Sequence, residues 1–224
     1  QAVTFRAFGA ETREFSHSLD SGWVRFAIES SEQEIIMSHK NSAGAPNLPA
    51  YISHYGIRAQ RYKEMVQWYQ MVFGAKIQHE NEFLAFMTFD EEHHRLVIFE
   101  DPATVTKPEN AAGVDHVGYG LKSFGDFVLT YERLKAEGIT PFTQLNHKFT
   151  TSLYYHDPDG NDVELSVDNF PTKEECDAFV RSDRMAEIGR PPFGHTFDPD
   201  ELARLYHQGI PEKTLALIGL PETG

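Results

Sequence analysis

The sequence predicts an α+β fold made of two β-α-β-β-β modules, and three observations carry that prediction. Strand and helix patterns follow the same order over residues 51–101 and again over 112–168. His54-Tyr55-Gly56 in the first strand of the first module returns as His116-Val117-Gly118 in the first strand of the second. The second module closes on a hairpin: Ser152-Leu153-Tyr154-Tyr155-His156 alternates as a strand, Asp157-Pro158-Asp159-Gly160 turns, and Asp162-Val163-Glu164-Leu165-Ser166-Val167 returns.

Taken in order, residues 1–48 form an N-terminal extension of unassigned role. Gly22–Ile28 alternates like a strand, Glu34–Met37 is a shorter candidate, and Asn41–Pro49 reads as a linker because small residues and breakers dominate it. A catalytic domain is expected over 49–170. In it, Tyr51–Ala59 reads as a strand. Tyr62–Phe73 reads as a helix, with Met65, Trp68, Tyr69 and Val72 on one face and Gly74 ending it. Ala75–Glu80, Phe83–Phe89 and His94–Phe99 complete the first module as strands. In the second, Gly113–Gly120 is a strand and Phe124–Ala136 a helix bearing Phe127, Val128, Tyr131 and Leu134 on one face, ended by Gly138. A short strand at Phe142–Leu145 precedes the hairpin. Residues 171–224 form a helical tail, with helices at Lys173–Arg184 and Asp198–His207, the latter with Asp198 as N-cap and Pro199 in its first turn.

Composition narrows the function. The chain has 224 residues, 40% hydrophobic and 24% charged, enough for a sizeable core. A formal net charge of −14 repels phosphate backbones, which argues against a nucleic-acid partner. Cys176 is the only cysteine, so a thiolate metal cluster and an intrachain disulfide are both excluded; this fits a reducing, cytoplasmic setting. No apolar run approaches the ~20 residues of a membrane span, and the start shows no signal-peptide pattern. The first residue is Gln1 rather than methionine, consistent with residues removed upstream.

Glu164 is the most informative residue. A carboxylate in a strand whose neighbours alternate with apolar residues is costly to bury unless it is paired or bound to a metal. Facing modules would bring His54 and His116 toward it. Two imidazoles and one carboxylate on one face, with further coordination positions open, are the donor set of non-haem Fe(II) oxygenases.

At these residues the chain resembles a known family. Residues 51–168 are similar to the vicinal oxygen chelate superfamily and, within it, to the type I extradiol ring-cleaving dioxygenases. The small single-domain members acting on 2,3-dihydroxybiphenyl-like catechols are the nearest match. The signature is His147, Leu153-Tyr154, Asp157-Pro158, Gly160 and Glu164. Leu145 departs from it, where a smaller, β-branched or polar residue is preferred. The stretch Phe197-Asp198-Pro199-Asp200-Glu201-Leu202 also looks like that group's tail.

The resemblance implies a half-open barrel of the glyoxalase, bleomycin-resistance and extradiol-dioxygenase type. It implies metal ligands at His54, His116 and Glu164, an acid–base histidine at His94 (a better match than His93), and catalytic roles for His147 and Tyr154 at a substrate hydroxyl. Fe(II) is the implied metal, with Mn(II) as the alternative. The implied partners are a catecholic substrate, O2 and further copies of the chain, and the implied reaction is ring cleavage beside the two hydroxyls. A glyoxalase- or epimerase-like metal enzyme is one rival; it needs a fourth protein ligand from the last strand of the first module, where matching the modules places Ile98, with Glu100 two residues on. A metal-free protein that sequesters an aromatic ligand is the other.

Overall fold

A computed structural model describes residues 49–108, 111–189 and 193–221. The expected strands at Gly22–Ile28 and Glu34–Met37, and nearly all of the linker, lie outside the described residues. Within the unit Tyr51–Gly224, both modules form. The first runs β1 (Tyr55–Ala59), α1 (Tyr62–Phe73), β2 (Lys76–Glu80), β3 (Leu84–Thr88) and β4 (Leu96–Glu100). The second runs β5 (His116–Leu121), α2 (Phe124–Ala136), β6 (Thr143–Asn146), β7 (Thr150–His156) and β8 (Asp162–Asp168).

The sheets have the orders β1-β4-β3-β2 and β5-β8-β7-β6, and a two-residue strand, β9 (His195–Thr196), extends the second beyond β6. They are separate ladders and not a closed barrel, as a half-open barrel requires. In each module the last strand returns beside the first and parallel to it, while the other pairs are antiparallel.

Local chemistry explains the helices. On α1, Met65, Val66, Tyr69 and Val72 are buried at helical spacing, and Gly74 ends the helix in the left-handed conformation, φ 61°. On α2, the Ser123 side chain accepts from Asp126 N–H as N-cap, and Phe127, Val128, Tyr131 and Leu134 are buried. In the tail, α3 (Lys173–Val180) is shorter than the expected Lys173–Arg184. The Ser182 hydroxyl accepts from Arg184 N–H at 3.2 Å and starts a separate 3-10 turn, Asp183–Ile188. α4 (Pro199–His207) forms as expected, capped by Asp198, and α5 (Glu212–Leu215) follows.

Strands begin later than the sequence indicates, β1, β4 and β5 by two residues or more. β1 starts at Tyr55 and β5 at His116, because a ladder begins only where its partner does: Tyr55 pairs with Leu96 and His116 with Asp162. His54 and His94 therefore both precede their strands. The Ile52 carbonyl, freed from the ladder, accepts from the Arg95 guanidinium at 2.6 Å.

The modules share their interior. Val163 of β8 packs among first-module core residues, Val72 of α1 packs among those of the second, and Trp68, Phe73 and Tyr119 border both clusters. Polar contacts add a clasp. Asp157, 4% exposed, accepts from Tyr69 O–H at 3.2 Å and from the backbone N–H of Asp159 and Asn161. Asp159 accepts from Gln60 N–H at 2.8 Å, the Arg61 guanidinium donates to the Pro158 carbonyl at 2.7 Å, and Arg133 of α2 donates to the last carbonyls of α1 at Met71 and Val72. Burial pushes the Asp157 carboxyl above its ordinary pKa, and the hydrogen bonds oppose that shift. Asp157→Ala strands the Tyr69 hydroxyl and two backbone donors and is expected to cost about 3 kcal/mol. Tyr69→Phe loses one bond and should cost about 1 kcal/mol. Urea midpoints of the two variants check the ranking.

Candidate active site

The site lies on the sheet faces that the helices leave uncovered. Along β5, Val117, Tyr119 and Leu121 are half-buried while His116, Gly118 and Gly120 are exposed on the other face. Along β8, Val163, Leu165 and Val167 are buried and Glu164 and Ser166 lie opposite. Register then aligns one row across the sheet: Gly118 opposite Glu164, Glu164 opposite Tyr154, Tyr154 opposite Thr143. Cross-strand neighbours in such a row are within reach of one another's side chains.

These side chains form a continuous polar chain. Asp115 Oδ2 lies 2.7 Å from His116 Nδ1, and His116 Nε2 lies 3.1 Å from Glu164 Oε2. The Tyr154 hydroxyl donates to Glu164 Oε1 at 3.1 Å and sits 3.0 Å from His147 Nε2. Burial and then the Glu164 charge push the Tyr154 phenol above its ordinary pKa. Burial holds His147 below the usual imidazole value, against the pull of Glu164. Both groups keep the neutral forms that donate and accept hydrogen bonds.

Gly118 leaves room for the carboxylate in its present position. A Cβ there would lie 2.9 Å from Glu164 Oε2, so the bare backbone is what lets the carboxylate fold across β5 toward His116. Gly56, at the matching place in β1, has nothing closer than 3.8 Å to such a Cβ.

His54 and His94 form a second group. Their ring centroids are 4.5 Å apart, His93 lies against His94 through Nδ1, and Phe86 meets the His94 ring edge-on at 5.1 Å. Burial and then the neighbouring imidazoles hold His94 below the ordinary histidine pKa. The expected residues thus fall into two groups, His116, Glu164, Tyr154 and His147 in one and His54 with His94 in the other. Among the described residues no three His, Cys, Asp or Glu side chains converge as a metal set. His54 stands apart because it precedes the paired part of β1, and its ring turns to Ser53 and His94. The donor chemistry nevertheless suits a divalent non-haem metal, with an imidazole nitrogen and a carboxylate oxygen already meeting beside Gly118.

The structure corrects one position. In register Gly56 pairs with Val97, just as Gly118 pairs with Glu164. The first-module counterpart of Glu164 is therefore Val97, not Ile98, which is buried beneath α1. Sequence matching missed this because the pairing of β4 with β1 sets the counterpart and leaves no local pattern. Glu100 pairs with Ala59 and shares the parity of buried Ile98. Sequence reading also missed Asp115 and the segment at Phe193–Gly194, which approaches His147 from the tail.

The family model for the Glyoxalase/Bleomycin resistance protein/Dioxygenase superfamily matches residues 51–165. The chain belongs to this superfamily. Two curated Rhodococcus globerulus members are similar to it over most of their length. Biphenyl-2,3-diol 1,2-dioxygenase 2 is 41% identical over 161 residues, 71% of this chain and 83% of that protein. Biphenyl-2,3-diol 1,2-dioxygenase 3 is 37% identical over 166 residues, 73% of this chain and 86% of that protein. The match spans both modules, and the polar chain lies within the matched residues apart from the tail contact.

Gly118→Ala is expected to displace the Glu164 carboxylate and weaken divalent-metal affinity by about 10–100-fold, the usual effect of disturbing a ligand's support. Gly56→Ala should leave affinity unchanged. Metal competition against a chromophoric chelator measures both.

Proposed function

We propose that this chain is an extradiol dioxygenase that opens the ring of a catechol carrying an aryl or similar substituent. The carbon–carbon bond beside the two hydroxyls breaks, one O2 is consumed, and both of its atoms end in a yellow ring-opened acid. The observation that carries this reading is the hydrogen-bonded chain from His147 through Tyr154 to Glu164, ending against His116. The two relatives, named for biphenyl-2,3-diol, support the same reaction class and point to the substrate. Against the glyoxalase-like rival, Val97 stands where a fourth acidic ligand from the first module belongs. The sequestering rival leaves the Tyr154–His147 pair without a use.

In this reading His54, His116 and Glu164 hold Fe(II), with Mn(II) the alternative. The metal, when bound, would supply Lewis acidity to the catechol and O2. The chain's own residues do the rest. Tyr154 and His147 hydrogen-bond a substrate hydroxyl and fix the ring's orientation. His94, kept neutral by burial and by its imidazole neighbours, accepts a catechol proton and later returns one to the product. Phe86, Val97 and Phe99 give the first sheet an apolar face for the aromatic ring. Among the described residues no helix is long and apolar enough to cross a membrane, and a small aromatic diol needs no such span.

Two measurements separate the roles. His54→Ala, His116→Ala and Glu164→Ala each remove one protein ligand, so each should lose most bound metal and nearly all cleavage of 2,3-dihydroxybiphenyl. Full metal occupancy in any of them would break the assigned set. His94→Phe should retain metal and substrate binding while turnover falls by about 10²–10⁴-fold, the range for a lost acid–base group. Wild-type turnover in that variant would assign the proton to another residue.

A further inference from the structure

The C-terminal tail reaches the polar chain from outside the repeated modules. β9 pairs with β6, Leu145 opposite Thr196 and Asn146 opposite His195, which brings the preceding residues alongside His147. Gly194 has φ +122°, a conformation L side chains rarely adopt. A Cβ there would come within 2.8 Å of the Asn146 carbonyl oxygen and 2.9 Å of His147 Nδ1. The other ring nitrogen, Nε2, faces Tyr154 at 3.0 Å. The ring is thus held between the Tyr154 hydroxyl on one side and the bare backbone of the tail on the other.

The tail segment is itself tied down. Gly194 N–H donates to the Ile188 carbonyl at 2.9 Å, at the end of the 3-10 turn. Lys148, next to His147 and in a left-handed conformation with φ 71°, pairs with Glu187 of that turn at 2.8 Å. His147 and the tail therefore share two anchors as well as a strand pairing.

We propose that Gly194 is a positioning residue: the uncovered backbone at Phe193–Gly194 seats the His147 ring with its proton on Nδ1 and turns Nε2 to Tyr154 as an acceptor. This rests on the reading of His147 and Tyr154 as the pair that orients the substrate. The Phe193 backbone beside the ring favours a protonated imidazole, against the burial that holds His147 below its ordinary value. The consequence falls on Tyr154. A phenol has one proton, and this one faces two acceptors, His147 Nε2 and Glu164 Oε1. With Nδ1 protonated, His147 Nε2 is a second acceptor for the phenolic proton beside Glu164 Oε1, so the Tyr154 hydroxyl is shared between the two and its oxygen stays open to a substrate hydroxyl. The opposite tautomer would place a donor at Tyr154 and push its proton to Glu164. Which nitrogen holds the proton is set by what the other nitrogen touches, and here that is the tail.

The test compares Gly194→Ala with Gly209→Ala. Gly209 has a similarly unusual φ of +78° but nothing within 4 Å of an added Cβ, so it imposes strain without intrusion. Long-range proton–nitrogen spectra of histidine-labelled, Zn(II)-loaded protein at about pH 8, where imidazole is neutral, show which His147 nitrogen carries hydrogen. The wild type is expected to carry it on Nδ1, Gly209→Ala to match, and Gly194→Ala to show a mixed or reversed pattern. With the native metal, Gly194→Ala should lose turnover by on the order of 10²-fold at unchanged metal content, and Gly209→Ala should not. A proton on Nε2 in the wild type overturns the proposal whether or not the variant folds. An unaltered nitrogen pattern in folded Gly194→Ala, or an equal turnover loss in Gly209→Ala, overturns it too. If the wild type opens no catechol ring, the proposed function fails, while the nitrogen pattern still decides the positioning.

Discussion

The Glu164 carboxylate is the constraint around which the second module is built. Its side chain is 13% exposed in the middle of β8, where a charge without partners would be expensive. Three neighbours make the position tenable, each for a different reason. His116 offers an imidazole nitrogen, Tyr154 donates a hydrogen bond, and Gly118 gives up its side chain so that the carboxylate has room. All three come from strands that pair directly with β8. A slip of one residue in either pairing would turn Gly118 or Tyr154 to the helix side and leave the carboxylate unsupported.

The parallel return of β8 beside β5 depends in turn on how the modules meet. The hairpin turn carrying Asp157, Pro158 and Asp159 is the end of the second module's sheet, and it is also the surface on which the β1–α1 loop of the first module sits. One short motif therefore serves two purposes. It reverses the chain so that Glu164 follows Tyr154 on the adjacent strand, and it fastens the module carrying Glu164 to the one carrying His54 and His94. Burying Asp157 is costly in itself, and the cost is met by donors from both modules.

The modules are alike in backbone and unlike in chemistry. Where the second presents Gly118, Glu164 and Tyr154, the first presents Gly56, Val97 and Phe86 in the matching ladder. Duplication thus yields one sheet face that carries a hydrogen-bonded polar chain and one where Phe86, Val97 and Phe99 lie beside His79 and Arg58. His94 lies just before β4, with Phe86 against its ring, where burial and then its imidazole neighbours lower its affinity for a proton. The tail adds what neither repeat contains, a backbone surface for His147.

Much of this was legible in the sequence because it is local. Helix faces follow from 3.6-residue spacing, strand faces from alternation, and the hairpin from Asp157-Pro158-Asp159-Gly160, since each depends on dihedrals and neighbours a few residues apart. The recurrence of His-x-Gly announced the duplication, and the family signature picked out His147, Tyr154 and Glu164, which the structure does bring together. Register was not legible. Nothing in the strand from His94 to Phe99 says that Val97 rather than Ile98 is the counterpart of Glu164, because that is decided by which residue of β1 it pairs with. The starts of β1 and β5 were hidden for the same reason, since a strand ends where its partner does. The approach of Gly194 to His147 joins residues far apart in the chain through a two-residue strand too short to leave a pattern. The sequence by itself determined the elements of the two modules, their order and the donor atoms. The tertiary structure decided which of those atoms meet, because contacts between distant residues are set by pairing and packing and not by any local preference of the chain.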